Sequence, residues 1–188
     1  PKKITFVILP FIIYFTYLCG LKMLLLLAFM VIINIMYNFP PFRIKERPPF
    51  EILIQVGYVA TAIFSVLLNN QEALPWQTLF YLSLFAFQAH IAGEIMDIEP
   101  DIRANKKTTA SLIGRKNAKF LMLALLIIES LILLIVFEDI VLSSFLAIFS
   151  IWLVLDIFIF FKEKPYTVAQ MKLFGFAMNF SAIFSMIW

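Results

Sequence analysis

The chain predicts an all-α fold, a polytopic membrane helix bundle of about seven transmembrane helices. Three observations carry that expectation. Of the 188 residues, 63% are hydrophobic and 14% charged, with a mean hydropathy of +0.96, far from the roughly half apolar and one-quarter charged usage of a soluble domain. The apolar residues gather into runs long enough to cross a hydrocarbon core about 30 Å thick at about 1.5 Å per residue. Lys and Arg fall almost entirely into alternate connectors between those runs.

Taken in order, the runs are residues 4 to 19, 21 to 38, 51 to 69, 74 to 96, 117 to 136, 140 to 161 and 167 to 187. The first is short and interrupted by Pro10, so a re-entrant pair is the alternative for residues 4 to 38. Counting cations by connector tests the parse, because cytoplasmic loops are enriched in Lys and Arg. One side receives Lys2, Lys3, Arg43, Lys45, Arg47, the cluster from Arg103 to Lys119, Lys162, Lys164 and Lys172; the other receives Lys22 alone. This predicts a multi-pass protein of the cytoplasmic membrane with its N-terminus inside and Trp188 outside. The two longest connectors, 39 to 50 and 97 to 116, then both face the cytoplasm, and function belongs there.

Several classes fall away. A net charge of +3 does not point to nucleic acid, because the cations sit in short connectors rather than on a lipid-free basic face. The single Cys19 cannot form an intrachain disulfide. No cleavable signal peptide is legible, and the start at Pro1 without Met reads as processed or incomplete. There is no low-complexity segment, repeat, P-loop, zinc pattern or Ser/His/Asp arrangement, and no obligate protein partner is evident.

The segment Gly93 to Ala110, GEIMDIEPDIRANKKTTA, carries the chemistry. Glu94, Asp97 and Asp101 fall at i, i+3 and i+7, one face of a continuing helix. Pro100 lacks the N–H that would bond back to Met96, which predicts a kink or an end there and leaves only Glu94 and Asp97 firmly on a shared face. Magnesium takes oxygen ligands and is commonly held by one or two carboxylates plus substrate phosphates, so Glu94, Asp97 and Asp101 form a candidate Mg2+ shell. The plain alternative is an acidic cap with Arg103, Lys106 and Lys107 anchoring the helix at the headgroups. The other long connector favours the metal reading. Tyr37, Arg43, Lys45 and Arg47 lie in a proline-rich, rigid string that holds charged groups at low entropic cost. Carboxylates for metal and cations for phosphate at one interface suit a diphosphate whose lipid tail stays in the membrane.

At this point the chain resembles the UbiA-type intramembrane prenyltransferases. Their second Asp-rich motif is similar to Glu94-x-x-Asp97-x-x-x-Asp101, followed here by Thr108-Thr109-Ala110 and Leu112-Ile113-Gly114, and their Tyr-Ser-x-Pro-Pro-x-Arg-Leu-Lys connector is similar to Tyr37-x-x-Pro40-Pro41-x-Arg43-x-Lys45. Asp97-Ile-Glu-Pro-Asp101 and the Arg47-Pro-Pro continuation most resemble the lycopene elongase branch. The resemblance implies transfer of a prenyl group from a polyprenyl diphosphate to a lipophilic acceptor, a carotenoid such as lycopene among them, by magnesium-assisted ionisation. It implies Asp97, Asp101 and Lys45 as catalytic residues, Glu94, Asp97 and Asp101 as metal ligands, and Tyr37, Arg43, Lys45, Arg103, Lys106 and Lys107 on the diphosphate. The family's fold has about nine helices and a first Asp-rich motif, Asn-Asp-x-x-Asp-x-x-x-Asp, that has no counterpart here. Residues 1 to 188 therefore read as one transmembrane domain lacking the first two helices, a piece expected to be inactive alone.

Polar groups at membrane depth each need a reason. His90 shares a face with Glu94 and is expected to touch substrate, orient that carboxylate or bond a neighbouring helix. Glu129 is expected to be protonated or paired across helices, and Asp156 to reach toward the interface near Lys162. Asn34, Gln88 and Asn179 are expected to make interhelical hydrogen bonds, while Phe85 and Phe87 suit lipid contact better than cation–π work. Two competing classes remain: a secondary transporter, whose polar site would lie at the midplane, and a membrane scaffold, which needs no converging carboxylates.

Overall fold

The computed structural model describes the backbone of residues 2–187 and the side chains of residues 9–177, 180 and 183. Pro1 and Trp188, and the side chains of Lys2, Lys3 and Asn179, lie outside the described residues. The helices run α1 (Lys2–Cys19), α2 (Leu21–Asn38), α3 (Phe50–Leu53), α4 (Gly57–Leu68), α5 (Trp76–Arg103), α6 (Thr109–Ile113), α7 (Arg115–Ile135), α8 (Ile140–Phe158) and α9 (Val168–Ile187). A 3-10 turn, Ile54–Val56, joins α3 to α4, so that Phe50–Leu68 forms one span. No strand occurs among the described residues. Each of the seven expected runs has its helix. Within the described residues five spans are long and apolar enough to cross a membrane: α2, Phe50–Leu68, α5, α7 and α8. The chain is an integral membrane protein.

Between lipid-immersed helices there is little hydrophobic driving force, so close packing and interhelical hydrogen bonds hold the bundle. Ile91, Ile95, Ala118, Leu126, Leu153 and Ile157 form the core shared by α5, α7 and α8. On α7 the buried stripe Met122, Leu126, Glu129 and Leu133 recurs at helical spacing, while Ile127, Ile128, Leu131 and Leu134 face outward. Ser130 and Ser143 lock α7 to α8 by donating to each other's backbone carbonyls at 3.0 and 2.9 Å, bonds averaging about 0.6 kcal/mol each in membranes. Gly57 lets α4 approach α2 closely, since a Cβ there would stand 3.2 Å from Ile33 Cγ2.

One end of the bundle gathers the long connectors. Lys45 shares a cavity lining with Lys106 and Thr108, and Arg115, directly after the 104–114 segment, stands 5.9 Å from the Tyr166 ring, so the 39–50, 104–114 and 159–167 segments sit at the same end. Lys22 marks the opposite end, where its Nζ donates to Leu67 O at 2.8 Å and Asn70 Oδ1 at 2.9 Å. Among the described cations, Lys45, Lys106, Arg115 and Lys119 thus gather at one end and Lys22 lies at the other.

Four expectations need correction. Pro100 neither ends nor breaks α5, which continues to Arg103. Arg115 holds this last stretch from outside, donating to Ile95 O at 2.6 Å and pairing with Glu99 Oε1 at 2.5 Å, and Pro100's carbonyl accepts the closing bond from Ala104 N. Asp156 does not reach the interface: it is fully buried and paired with Lys119 at 2.5 Å, with Tyr166 donating to the same oxygen. Asn34 donates to Met30 O within its own helix instead of to a neighbour. Gln88, fully enclosed, has no hydrogen-bond partner for either amide atom among the described residues. Of the two expectations for Glu129, pairing across helices is not seen among the described residues, where both its oxygens lack a hydrogen-bond partner.

Candidate active site

Because α5 runs on through Pro100, all three acids reach one cavity of about 260 Å³ at the connector end. Glu94, Asp97 and Asp101 line it from α5, Tyr37 from the end of α2, Lys45 from the proline-rich connector, and Lys106 and Thr108 from the segment after α5. His90 forms its inner wall. The same histidine borders an apolar groove lined by Val59, Ala62, Leu82 and Phe85, so a polar chamber and a greasy slot meet at one side chain. Phe87 instead packs against the helix core.

The acids differ in what they touch. Glu94 is nearly buried: its Oε2 accepts from Ala110 N at 2.9 Å, and its Oε1 stands 3.1 Å from His90 Nε2 without good hydrogen-bond alignment. Asp101 sits 3.4 Å from Lys106 Nζ. Asp97 is exposed to the cavity and makes no hydrogen bond or ion pair among the described residues. Tyr37 lies within electrostatic reach of Glu94, Glu51 and Asp101.

The wall that carries Thr108 is built from the start of α6. Thr108 caps that helix in a reciprocal box with Ser111, as Ser/Thr caps do for the orphan N–H groups of a first turn. Two of those N–H groups are claimed by carboxylates from elsewhere: Thr109 N and Oγ1 donate to Glu51 Oε1 at 2.6 and 2.5 Å, and Ala110 N donates to Glu94. Negative charge is favoured at a helix N-terminus. The sequence offered little to single out Glu51 beyond an acid at membrane depth after Pro48-Pro49, because its partner lies 58 residues away.

Not every expected residue lines the cavity. Arg43 is exposed and pairs with Glu46 at 2.9 Å, Arg47 staples its own connector through Pro41 O at 2.6 Å, and Arg103 and Lys107 are exposed beyond the rim. Lys45 does line it, steadied by donation to Asn38 Oδ1 at 3.2 Å.

Among the described residues no three His, Cys, Asp or Glu side chains form a ready metal cluster. The donor set does fit a magnesium ion that takes most of its ligands from substrate phosphates and water: Asp97 is unpartnered, Asp101 is held only by a long contact, and Lys45 and Lys106 flank them for phosphate oxygens.

Comparison with known proteins gives one relative and one family. The lycopene elongase/hydratase of Haloarcula japonica is 30% identical over 95 residues, which cover 50% of this chain and 32% of that protein. The aligned stretch therefore spans about a third of the length of this curated relative. No solved structure matches. The profile of the UbiA prenyltransferase family matches residues 3–183, and on that match the chain belongs to the UbiA prenyltransferase family.

Proposed function

We propose that the complete protein transfers a prenyl group, within the membrane, from a polyprenyl diphosphate to a lipophilic acceptor. The observation that carries this reading is Asp97, an unpartnered carboxylate beside Asp101 in a chamber that also holds two lysines and opens, past His90, onto an apolar groove. A diphosphate belongs in the first compartment and its isoprenoid chain in the second.

In this reading Asp97 and Asp101 hold a magnesium ion that, when bound, supplies positive charge against the departing diphosphate. Lys45 and Lys106 donate to phosphate oxygens, and the Tyr37 hydroxyl orients them. These donors are fixed before the allylic C–O bond breaks, and preorganised charge of this kind is commonly the largest catalytic term. The acceptor then captures the allylic cation and releases a proton. Glu94 acts as a positioning residue, since one oxygen is spent on the Ala110 N–H and the other faces His90. Arg43, Arg103 and Lys107 attract the anionic substrate from the rim. The cavity end faces the cytoplasm, because the cations gather there. A carotenoid is the acceptor class favoured by the similarity to a protein named for lycopene elongation.

The test is transfer itself. Liposomes containing the complete protein, a radiolabelled polyprenyl diphosphate, lycopene and magnesium are expected to yield labelled extended carotenoid together with free diphosphate. Diphosphate release no faster than in protein-free liposomes, with no labelled lipid product, contradicts the assignment.

A further inference from the structure

On the face of α5 opposite the acids lies a second, separate cavity of about 200 Å³, enclosed by α5, α7, α8 and the start of α9. Phe149, Trp152 and Phe174 supply aromatic walls, with Trp152 and Phe174 packed edge to face at 4.8 Å between centroids. Into this mostly apolar lining projects the amide of Gln88. Gln88 is 1% exposed, and among the described residues neither its amide nitrogen nor its amide oxygen has a hydrogen-bond partner. Leaving a buried amide unpaired is costly, the more so where no bulk water can reach it.

The lysine and the tyrosine of the lining are engaged elsewhere. Lys119 pairs with Asp156 at 2.5 Å and donates to Lys162 O at 2.7 Å, and Tyr166 donates its hydroxyl to Asp156. The Asp156 oxygen left over, Oδ1, is buried without a hydrogen-bond partner among the described residues, but Asp156 does not line the cavity. A lone water at the Gln88 amide would find few further polar partners in this lining, where Lys119 and Tyr166 are already engaged, against the two to four that buried waters usually have. The amide presents one donor and one acceptor side by side, a pair that a single hydroxyl group satisfies at once. For size, a dry apolar cavity of about 150 Å³ accepts benzene, so this one accommodates a substituted ring or a short branched chain.

We infer that this cavity is a binding site for a small neutral lipophile bearing a hydroxyl group, held by Gln88 and the surrounding rings. The site is distinct from the acidic chamber and stands whatever is transferred there. It is tested by fluorescence, without any measurement of prenyl transfer. The complete protein is placed in nanodiscs with every tryptophan except Trp152 replaced by phenylalanine, then titrated with 4-bromobenzyl alcohol and with 4-bromotoluene, ring-brominated quenchers that differ by the hydroxyl. The alcohol is expected to quench Trp152 saturably and to bind about tenfold tighter than the toluene. Gln88→Leu is expected to erase that preference. Ala92→Leu, which narrows the cavity with the amide intact, is expected to abolish saturable quenching while leaving thermal unfolding unlowered, and it decides the matter if Gln88→Leu does not fold. Quenching that rises linearly for both compounds, as from partition into lipid, overturns the site. So does a preference for the alcohol that survives Gln88→Leu, or saturable quenching that survives Ala92→Leu.

Discussion

Asp97→Asn is expected to lower prenyl transfer by the complete protein about 100-fold or more, with little change in expression or thermal unfolding. The two halves of that expectation have different sources. Asp97 makes no hydrogen bond or ion pair among the described residues, so an amide of the same shape breaks no contact seen there. Its proposed work is to hold a cation, and changes merely behind a metal ligand already cost about 10- to 100-fold in metal affinity or activity. Asp101→Asn should follow it with a smaller loss, because Lys106 at 3.4 Å already occupies part of that carboxylate's capacity. Glu94→Gln separates positioning from ligation. The amide oxygen can still accept from Ala110 N, so a loss of well under tenfold fits a positioning role, whereas a loss equal to that of Asp97→Asn makes Glu94 a ligand. Full transfer by Asp97→Asn would remove the mechanism.

The largest effect on stability is expected at Lys119. This ammonium is 0% exposed and is held by Asp156, also 0% exposed, with the Lys162 carbonyl as its second acceptor. The Tyr166 ring stands 4.7 Å from the nitrogen, and its hydroxyl donates to the same Asp156 oxygen. Burial, and then that hydrogen bond, push the Tyr166 phenol above its ordinary value, which keeps it a donor throughout the accessible pH range. Lys119→Met strands a buried carboxylate and is expected to cost about 3–5 kcal/mol, read as a lowered midpoint in SDS or thermal unfolding. Replacing both partners, Lys119→Met with Asp156→Leu, should recover most of the loss, since a well-packed apolar pair often matches a buried ion pair. A single variant as stable as the parent would show that the pair adds nothing to the fold.

These two sites differ in how well the sequence revealed them. Glu94, Asp97 and Asp101 were legible because their spacing is local and a helix converts it into a face. Even there, Pro100 argued for a kink or an end, and α5 does not end at it but continues to Arg103, with Arg115 of α7 bonding Ile95 O and Glu99 alongside. The helices themselves follow from run length and from the segregation of cations. What local pattern cannot supply is the partner of a buried group. Glu51 capping Thr109, Lys119 meeting Asp156 and Gln88 meeting nothing are all products of how the helices pack side by side. Asp156 illustrates the point: two turns from Lys162 it read as an interfacial acid, yet its actual cation comes from α7. Arg43 shows the converse, a motif residue whose side chain turns to Glu46 at the rim.

If the acidic chamber grips a diphosphate through a cation held by Asp97 and Asp101, binding and metal are thermodynamically linked. Isothermal titration of the complete protein with a non-ionisable polyprenyl thiodiphosphate, with magnesium and again with EDTA, tests it most directly. The account predicts saturable binding that requires magnesium and is lost in the Asp97→Asn/Asp101→Asn double variant. Equal affinity in EDTA, or unchanged affinity in the double variant, would contradict it.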